Sequence, residues 1–129
     1  MNKNILVVGG QSGIGFYISQ YLINTCKYNT VITSRKLNKK NTKFQNNYKH
    51  YEIDLTCLNN LEKFYHFLKF NKISKFDTVI MCAGTLGKIS KFENTSVKNY
   101  KKTFEINFFG QVEFCKFLLK KKLLKLNSN

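Results

Sequence analysis

Residues Val7 to Gly15 read Val-Val-Gly-Gly-Gln-Ser-Gly-Ile-Gly, and this run constrains the fold more than any other stretch of the 129-residue chain. It follows an apolar opening over Asn4 to Val8, and Ile14, Ile18 and Leu22 then recur at the i, i+4 spacing of a helix face. A strand that passes through glycines into a helix brings backbone N–H groups and the positive helix end onto one small volume. A pyrophosphate suits that volume. Gly9 permits the tight turn, Gly13 permits close approach of backbone to phosphate, and Gly15 lets the helix pack against the first strand. The competing reading, glycines that merely make a turn, has to be weighed against the rest of the chain, because one glycine pattern has many chance matches.

The rest of the chain alternates short β-branched or apolar runs with longer helical periods, the pattern of βαβ units and a mostly parallel sheet. Four strands are expected, at Asn4 to Val8, Thr30 to Thr33, His50 to Leu55 and Thr78 to Met81. Leu58, Leu61, Phe64 and Leu68 give a second helix one sheet-facing stripe, and a longer helix is expected from about Ser96 toward Leu124. The fold class is therefore α/β, a Rossmann-type doubly wound parallel sheet of about four strands with flanking helices, forming one domain over residues 1–129. With 43% hydrophobic and 15% aromatic residues the chain has enough apolar mass for a real core.

The net charge of +15, from 22 Lys plus Arg against 7 Asp plus Glu, raises nucleic acid or an anionic membrane as partner. Against that, the lysines mix with asparagines along the whole chain and no arginine cluster marks one face, so neither partner is expected. Cys26, Cys57, Cys82 and Cys115 show no close pairing, and His50 and His66 complete no metal-ligand spacing with them. A reducing cytoplasm and no metal are expected. The apolar run Ile5 to Val8 is too short for a signal peptide, and no later run approaches a membrane span.

The spacing Gly-x-x-x-Gly-x-Gly resembles the short-chain dehydrogenase/reductase family more than the Gly-x-Gly-x-x-Gly of other Rossmann proteins. Further motifs follow in the family's order. Val8 stands where the family usually has threonine. Tyr51-Glu52-Ile53-Asp54-Leu55 places Asp54 where the family carries an aspartate near the adenine, and Met81-Cys82-Ala83-Gly84 resembles Asn-Asn-Ala-Gly without its asparagines. Phe104-Glu105-Ile106-Asn107-Phe108-Phe109-Gly110 resembles the fourth-helix segment, whose asparagine belongs to the catalytic set. The resemblance implies cofactor contacts at Gly9, Ser12, Gly13, Ile14, Gly15, Asp54, Leu55, Ala83 and Gly84, and a catalytic part for Asn107. Asp54 serves equally well as a cap for the following helix.

About twenty residues past the glycine turn, a carboxylate would bond the ribose 2′-hydroxyl of NAD, but Ser34-Arg35 stands there. The Arg35 guanidinium can meet a 2′-phosphate through charge-assisted bonds worth roughly 1.5–3 kcal/mol. NADP(H) is therefore the expected cofactor and NAD(H) the alternative. The competing reading makes Arg35 the start of a solvated basic loop with Lys36, Lys39 and Lys40.

The resemblance covers about the first half of the family's usual domain. The serine and the Tyr-x-x-x-Lys pair that the family carries later have no counterpart in position here. The spelling Tyr65-x-x-x-Lys69 occurs, but on the helix after the third strand, which runs away from the strands' carboxyl ends where cofactors bind. It is expected to be a surface or packing pair, and no role is expected for His50 or His66. An unpaired fourth strand is expected to be a sheet edge prone to aggregation. The last helix, with Phe108, Phe109, Val112, Phe114, Leu118 and Leu119, is apolar on more than one face, and in the family the corresponding helix helps form a dimer. Three readings remain: an NADP(H)-dependent oxidoreductase acting on a small carbonyl or alcohol, represented by its cofactor-binding half; a silent dinucleotide-binding module; and a basic nucleic-acid-binding protein.

Overall fold

The structure is a computed structural model that describes residues 2–37 and 48–126. Lys39 and Lys40 of the expected basic loop lie outside the described residues. Strand β1 (Asn4–Val8) sits between β2 (Asn29–Ser34) and β4 (Thr78–Met81), and β3 (Tyr48–Glu52) flanks β2, so the order is β3-β2-β1-β4. Every pairing is parallel, with Leu6 opposite Val31 on one side and Val79 on the other. β1 is central and covered on both faces, which is why its apolar run is continuous instead of alternating.

Helix α1 (Gly13–Asn24) covers one face, where Ile23 and Ile32 are buried with Phe16 and Tyr48 against them. Helices α2 (Leu61–Phe70) and α4 (Gly110–Lys120) cover the other, where Phe64, Leu68, Phe114 and Leu118 close over Leu6, Val8 and Val31. Phe64, Phe76 and Phe114 are wholly buried, each contributing about 1.5–3 kcal/mol of apolar burial. The sheet is thus doubly wound as its sequence pattern implies.

Four elements differ from the expectation. β2 gains a residue at each end, its first, Asn29, donating from Nδ2 to Asn4 Oδ1 at 2.7 Å. β3 starts at Tyr48 and stops at Glu52, because the Asp54 carboxylate accepts the Thr56 N–H and hydroxyl at 2.9 and 2.7 Å and turns the chain out of the sheet. That turn also delays α2 to Leu61. The long last helix is three pieces: α3 (Val97–Phe104), a π-helical turn (Glu105–Phe109) and α4. Ser96 caps its start by accepting the Asn99 N–H. It ends at Lys120, not Leu124, and the chain then crosses to β4: Phe76 N–H donates to Leu123 O at 2.7 Å and Lys125 N–H to Phe76 O at 3.0 Å. The expected bare edge of β4 is therefore covered at its beginning and open, among the described residues, along Thr78–Met81.

Lysines close the helices. Lys72 after α2 and Lys122 after α4 take left-handed φ of 58° and 53°, each followed by a bond from the next N–H back to a helix carbonyl, Ile73 to Leu68 and Leu123 to Leu118, and Lys27 after α1 has φ 58°. Among the described residues no helix is long and apolar enough to cross a membrane.

Candidate cofactor cleft

The carboxyl ends of β1, β2 and β4 open onto a cleft of about 580 Å³, the size range of small-molecule and cofactor sites. Its floor is the glycine turn. Gly9 has φ +82°, and a Cβ there would stand 2.6 Å from the Ala83 backbone, so β1 and β4 exit side by side only because position 9 has no side chain. The Gly9 and Gly10 N–H groups both donate to Thr33 O, at 2.8 and 3.2 Å, extending the β1–β2 ladder instead of facing the cleft. Gly15 lets α1 sit down on the turn, since a Cβ there would collide with the Gly9 carbonyl.

The open amides come next in the chain. Gly13, Ile14 and Gly15 form the first turn of α1, where N–H groups have no intrahelical acceptor, and the Ser12 hydroxyl does not cap them. Gly13 has φ +52° and nothing within 4 Å of where its Cβ would be. Ser12 lines the cleft with Gly9, while the Ile14 side chain is 77% exposed and stands outside it.

One end of the cleft lies at the carboxyl ends of β2 and β3. Ser34, Arg35 and Lys36 line it on one side and Ile53, Asp54 and Leu55 on the other. The Asp54 carboxyl is held below the usual carboxylate range, first by the Thr56 N–H, with Arg35 and Lys102 adding to it. The turn at Ser34 is tied down at both flanks. Ser34 Oγ donates to Lys36 O at 2.8 Å and lies 2.7 Å from His50 Nε2, and Glu52 Oε1 accepts the Leu37 N–H at 3.1 Å. Burial lowers the His50 pKa, with Glu52 pulling the other way.

The third wall is the segment after β4, carrying Cys82, Ala83, Gly84 and Thr85; burial raises the Cys82 thiol. The π-helical turn holds this wall. Asn107 does not line the cleft: its Oδ1 accepts the Thr85 N–H and its Nδ2 donates to Thr85 O, both at 2.8 Å. Gln111 Nε2 donates to Ala83 O at 2.7 Å, and Gly110 lets the helix meet the Leu55 carbonyl. The wide turn re-phases the helix so that Ile106, Asn107, Gly110 and Gln111 all address the cleft walls, a use often seen for π-bulges at functional sites.

The structure therefore brings Gly9, Ser12, Ser34, Arg35, Asp54, Leu55, Ala83 and Gly84 to one cavity, with Gly15 packed under Gly9, Gly13 beside Ser12 at the start of α1 and Asn107 behind the wall. Sequence reasoning did not find Gln11, Lys36, Thr85, Ile106 or Gln111, nor the part of His50. Only Lys36, beside Arg35, carried a signal. Tyr65 and Lys69 are elsewhere: the Tyr65 ring has the Lys69 and Lys121 ammoniums 5.2 and 4.8 Å from its centroid, and Lys121 pairs with Glu62 at 2.9 Å. Lys121 follows the last residue of α4, at the far end of that helix from Gly110 and the cleft.

The sequence matches the family of short chain dehydrogenases across residues 3–127. An uncharacterized oxidoreductase of Schizosaccharomyces pombe is 30% identical over 130 residues, covering 91% of this chain and 47% of that protein. Among solved structures, ElxO with NADP bound aligns with a TM-score of 0.75 at 25% identity, over 93% of this chain and 50% of that one. A short chain dehydrogenase from Leptospira borgpetersenii with bound NAD+ aligns with a TM-score of 0.73 at 20% identity, over 93% and 46%. The chain spans about half the length of the relatives it matches. Because the family match takes in nearly every residue that builds this sheet and its cleft, the chain belongs to the short-chain dehydrogenase family.

Proposed function

We propose that residues 1–129 form one dinucleotide-binding unit that takes NADP(H) in the cleft and serves an oxidoreductase acting on a small carbonyl or alcohol. One observation carries the reading: the open first-turn amides of α1 stand beside a space in front of Gly13 that no described residue fills. A pyrophosphate fits there on the exposed N–H groups and the helix dipole, with the Ser12 hydroxyl as a further donor. Arg35 and Lys36 at the other end of the cleft supply two cations for a 2′-phosphate, and Asp54 faces the adenine region. Ala83 and Gly84 keep the third wall thin. When bound, the nicotinamide supplies hydride transfer. Asn107 joins the catalytic set by fixing Thr85 at the cleft wall.

The relative solved with NAD+ keeps NAD(H) as the alternative cofactor, and the cations at Arg35 and Lys36 favour NADP(H). Among the described residues the cleft lining holds no tyrosine, so these residues on their own are proposed to position the cofactor without appreciable carbonyl reduction. Exposed Phe108, Phe109 and Leu119 on the last helix support self-association there, and the separate thiols Cys26, Cys57, Cys82 and Cys115 suit the cytoplasm. Titrating the purified chain with NADPH and with NADH by calorimetry tests the cofactor. Tighter binding of NADPH is expected; equal affinities, or a preference for NADH, would remove the assignment.

A further inference from the structure

We infer that His50, on the edge strand β3, is a positioning residue that sets the choice between phosphorylated and unphosphorylated adenosine dinucleotides by locking the Ser34–Lys36 turn. The inference rests on the dinucleotide reading of the cleft. It starts from a proton count. The Ser34 hydroxyl has one proton and donates it to Lys36 O at 2.8 Å, so at the 2.7 Å contact with His50 it is the acceptor and Nε2–H the donor. The imidazole, whose neutral form burial favours, thus holds a hydroxyl that in turn holds the carbonyl of Lys36.

This chain of two bonds has a geometric result. Arg35 lies between the two bonded residues, and the far flank of the turn is fixed by Glu52 through the Leu37 N–H. Both tethers come from one strand, β3, and alternate residues of it, His50 and Glu52, reach to the same side. Arg35 and Lys36 are therefore presented to the cleft from a turn clamped at its two ends. The Ser34 hydroxyl cannot also donate to a ligand, so recognition of a 2′-phosphate falls to the two cations, whose long side chains lose least entropy when their backbone is already fixed. A ligand with a bare 2′-hydroxyl makes little use of those cations. Loosening the turn should then weaken the phosphorylated ligand selectively.

His50→Phe keeps the ring and removes the donor; His50→Gln keeps an N–H. Affinities for NADPH and NADH are measured by calorimetry alongside the melting temperature. The preference for NADPH should fall about fivefold in His50→Phe, the scale of one lost neutral hydrogen bond, and recover in His50→Gln. An unchanged preference, or equal weakening of both ligands, overturns the inference and leaves the dinucleotide reading standing. Failure of the unsubstituted chain to bind either ligand removes both. Should His50→Phe not fold, the His50 ring proton signals of the unsubstituted protein decide: they should move on titration with 2′,5′-ADP and stay put with 5′-AMP, and an equal response to the two sinks the idea.

Discussion

The left-handed backbone positions at the two ends of the sheet are occupied by different residues. At the carboxyl end they are Gly9, Gly13 and Gly87; at the amino end, closing the helices, they are Lys27, Lys72 and Lys122. Gly13 and Lys122 have nearly the same φ, +52° and +53°. The dihedral alone therefore does not demand glycine in this chain. What differs is the space a side chain would enter. At Gly9 it would strike Ala83, at Gly87 it would strike Thr103, and at Gly13 it would meet no described atom within 4 Å, in open space at the first turn of α1. On the proposed reading glycine at position 13 leaves room for a ligand on the helix amides, whereas the exposed lysines cost only strain, about 1–2 kcal/mol each.

Breaking this contrast is straightforward. Gly13→Met places a long, unbranched and uncharged side chain in the proposed cradle. Dinucleotide affinity should drop by at least about a hundredfold, roughly 2.7 kcal/mol, while the melting temperature moves by only a few degrees, the strain of one left-handed residue. Retained NADPH affinity would mean the space has another purpose. Asn107→Ala frees the Thr85 wall by removing two hydrogen bonds and should cost about 1–2 kcal/mol in urea denaturation; an unaltered midpoint would show that the wall stands without it. At the opposite end, Lys72→Gly should stabilise by about 0.5–1 kcal/mol, relieved strain offset in part by unfolded-chain entropy, with no change in binding. A destabilised variant would mean that the lysine stem makes packing contacts worth more than the strain.

The smallest effect is with pH. Asp54 at the cleft and Asp77 at the amino end both have depressed carboxyl pKa values, Asp54 first through the Thr56 N–H and Asp77 first through Lys125 Nζ, then the Asn4 N–H. A depressed native pKa means that the unfolded chain binds more protons, so this stabilisation is whole above the ordinary carboxylate value near 4 and disappears as pH falls through the native values. Thermal melts below about pH 4 should show the loss, and Asp77→Asn should flatten part of the slope. An identical slope would remove Asp77 from the account.

Local signals served well where one residue's physics was enough. The apolar run of β1 marked a strand over Asn4 to Val8, and the structure bears out those bounds. Gly9 and Gly15 were legible through the backbone geometry of a strand-to-helix turn. Asp54 was expected either beside the cofactor or as a cap, and it lines the cleft while bending the chain through Thr56, which is why β3 ended early. The long last helix was read with one uniform period, so its π-helical turn was invisible: a five-residue widening changes which side chains face inward without changing composition. Tyr65 and Lys69 show the reverse case, a familiar spacing with the right face of a helix and the wrong end of the sheet.

The sequence by itself determined that strands alternate with helices, that a glycine turn opens the first helix, and that cations follow the second strand, since each is a matter of neighbours along the chain. Only the tertiary structure decided that His50 and Ser34 meet, that Asn107 and Gln111 hold the wall after β4, and that lysines replace glycines at the sheet's other end. Those contacts join residues from separate elements, and they exist because parallel strands deliver distant segments to the same edge, an arrangement that no local pattern encodes.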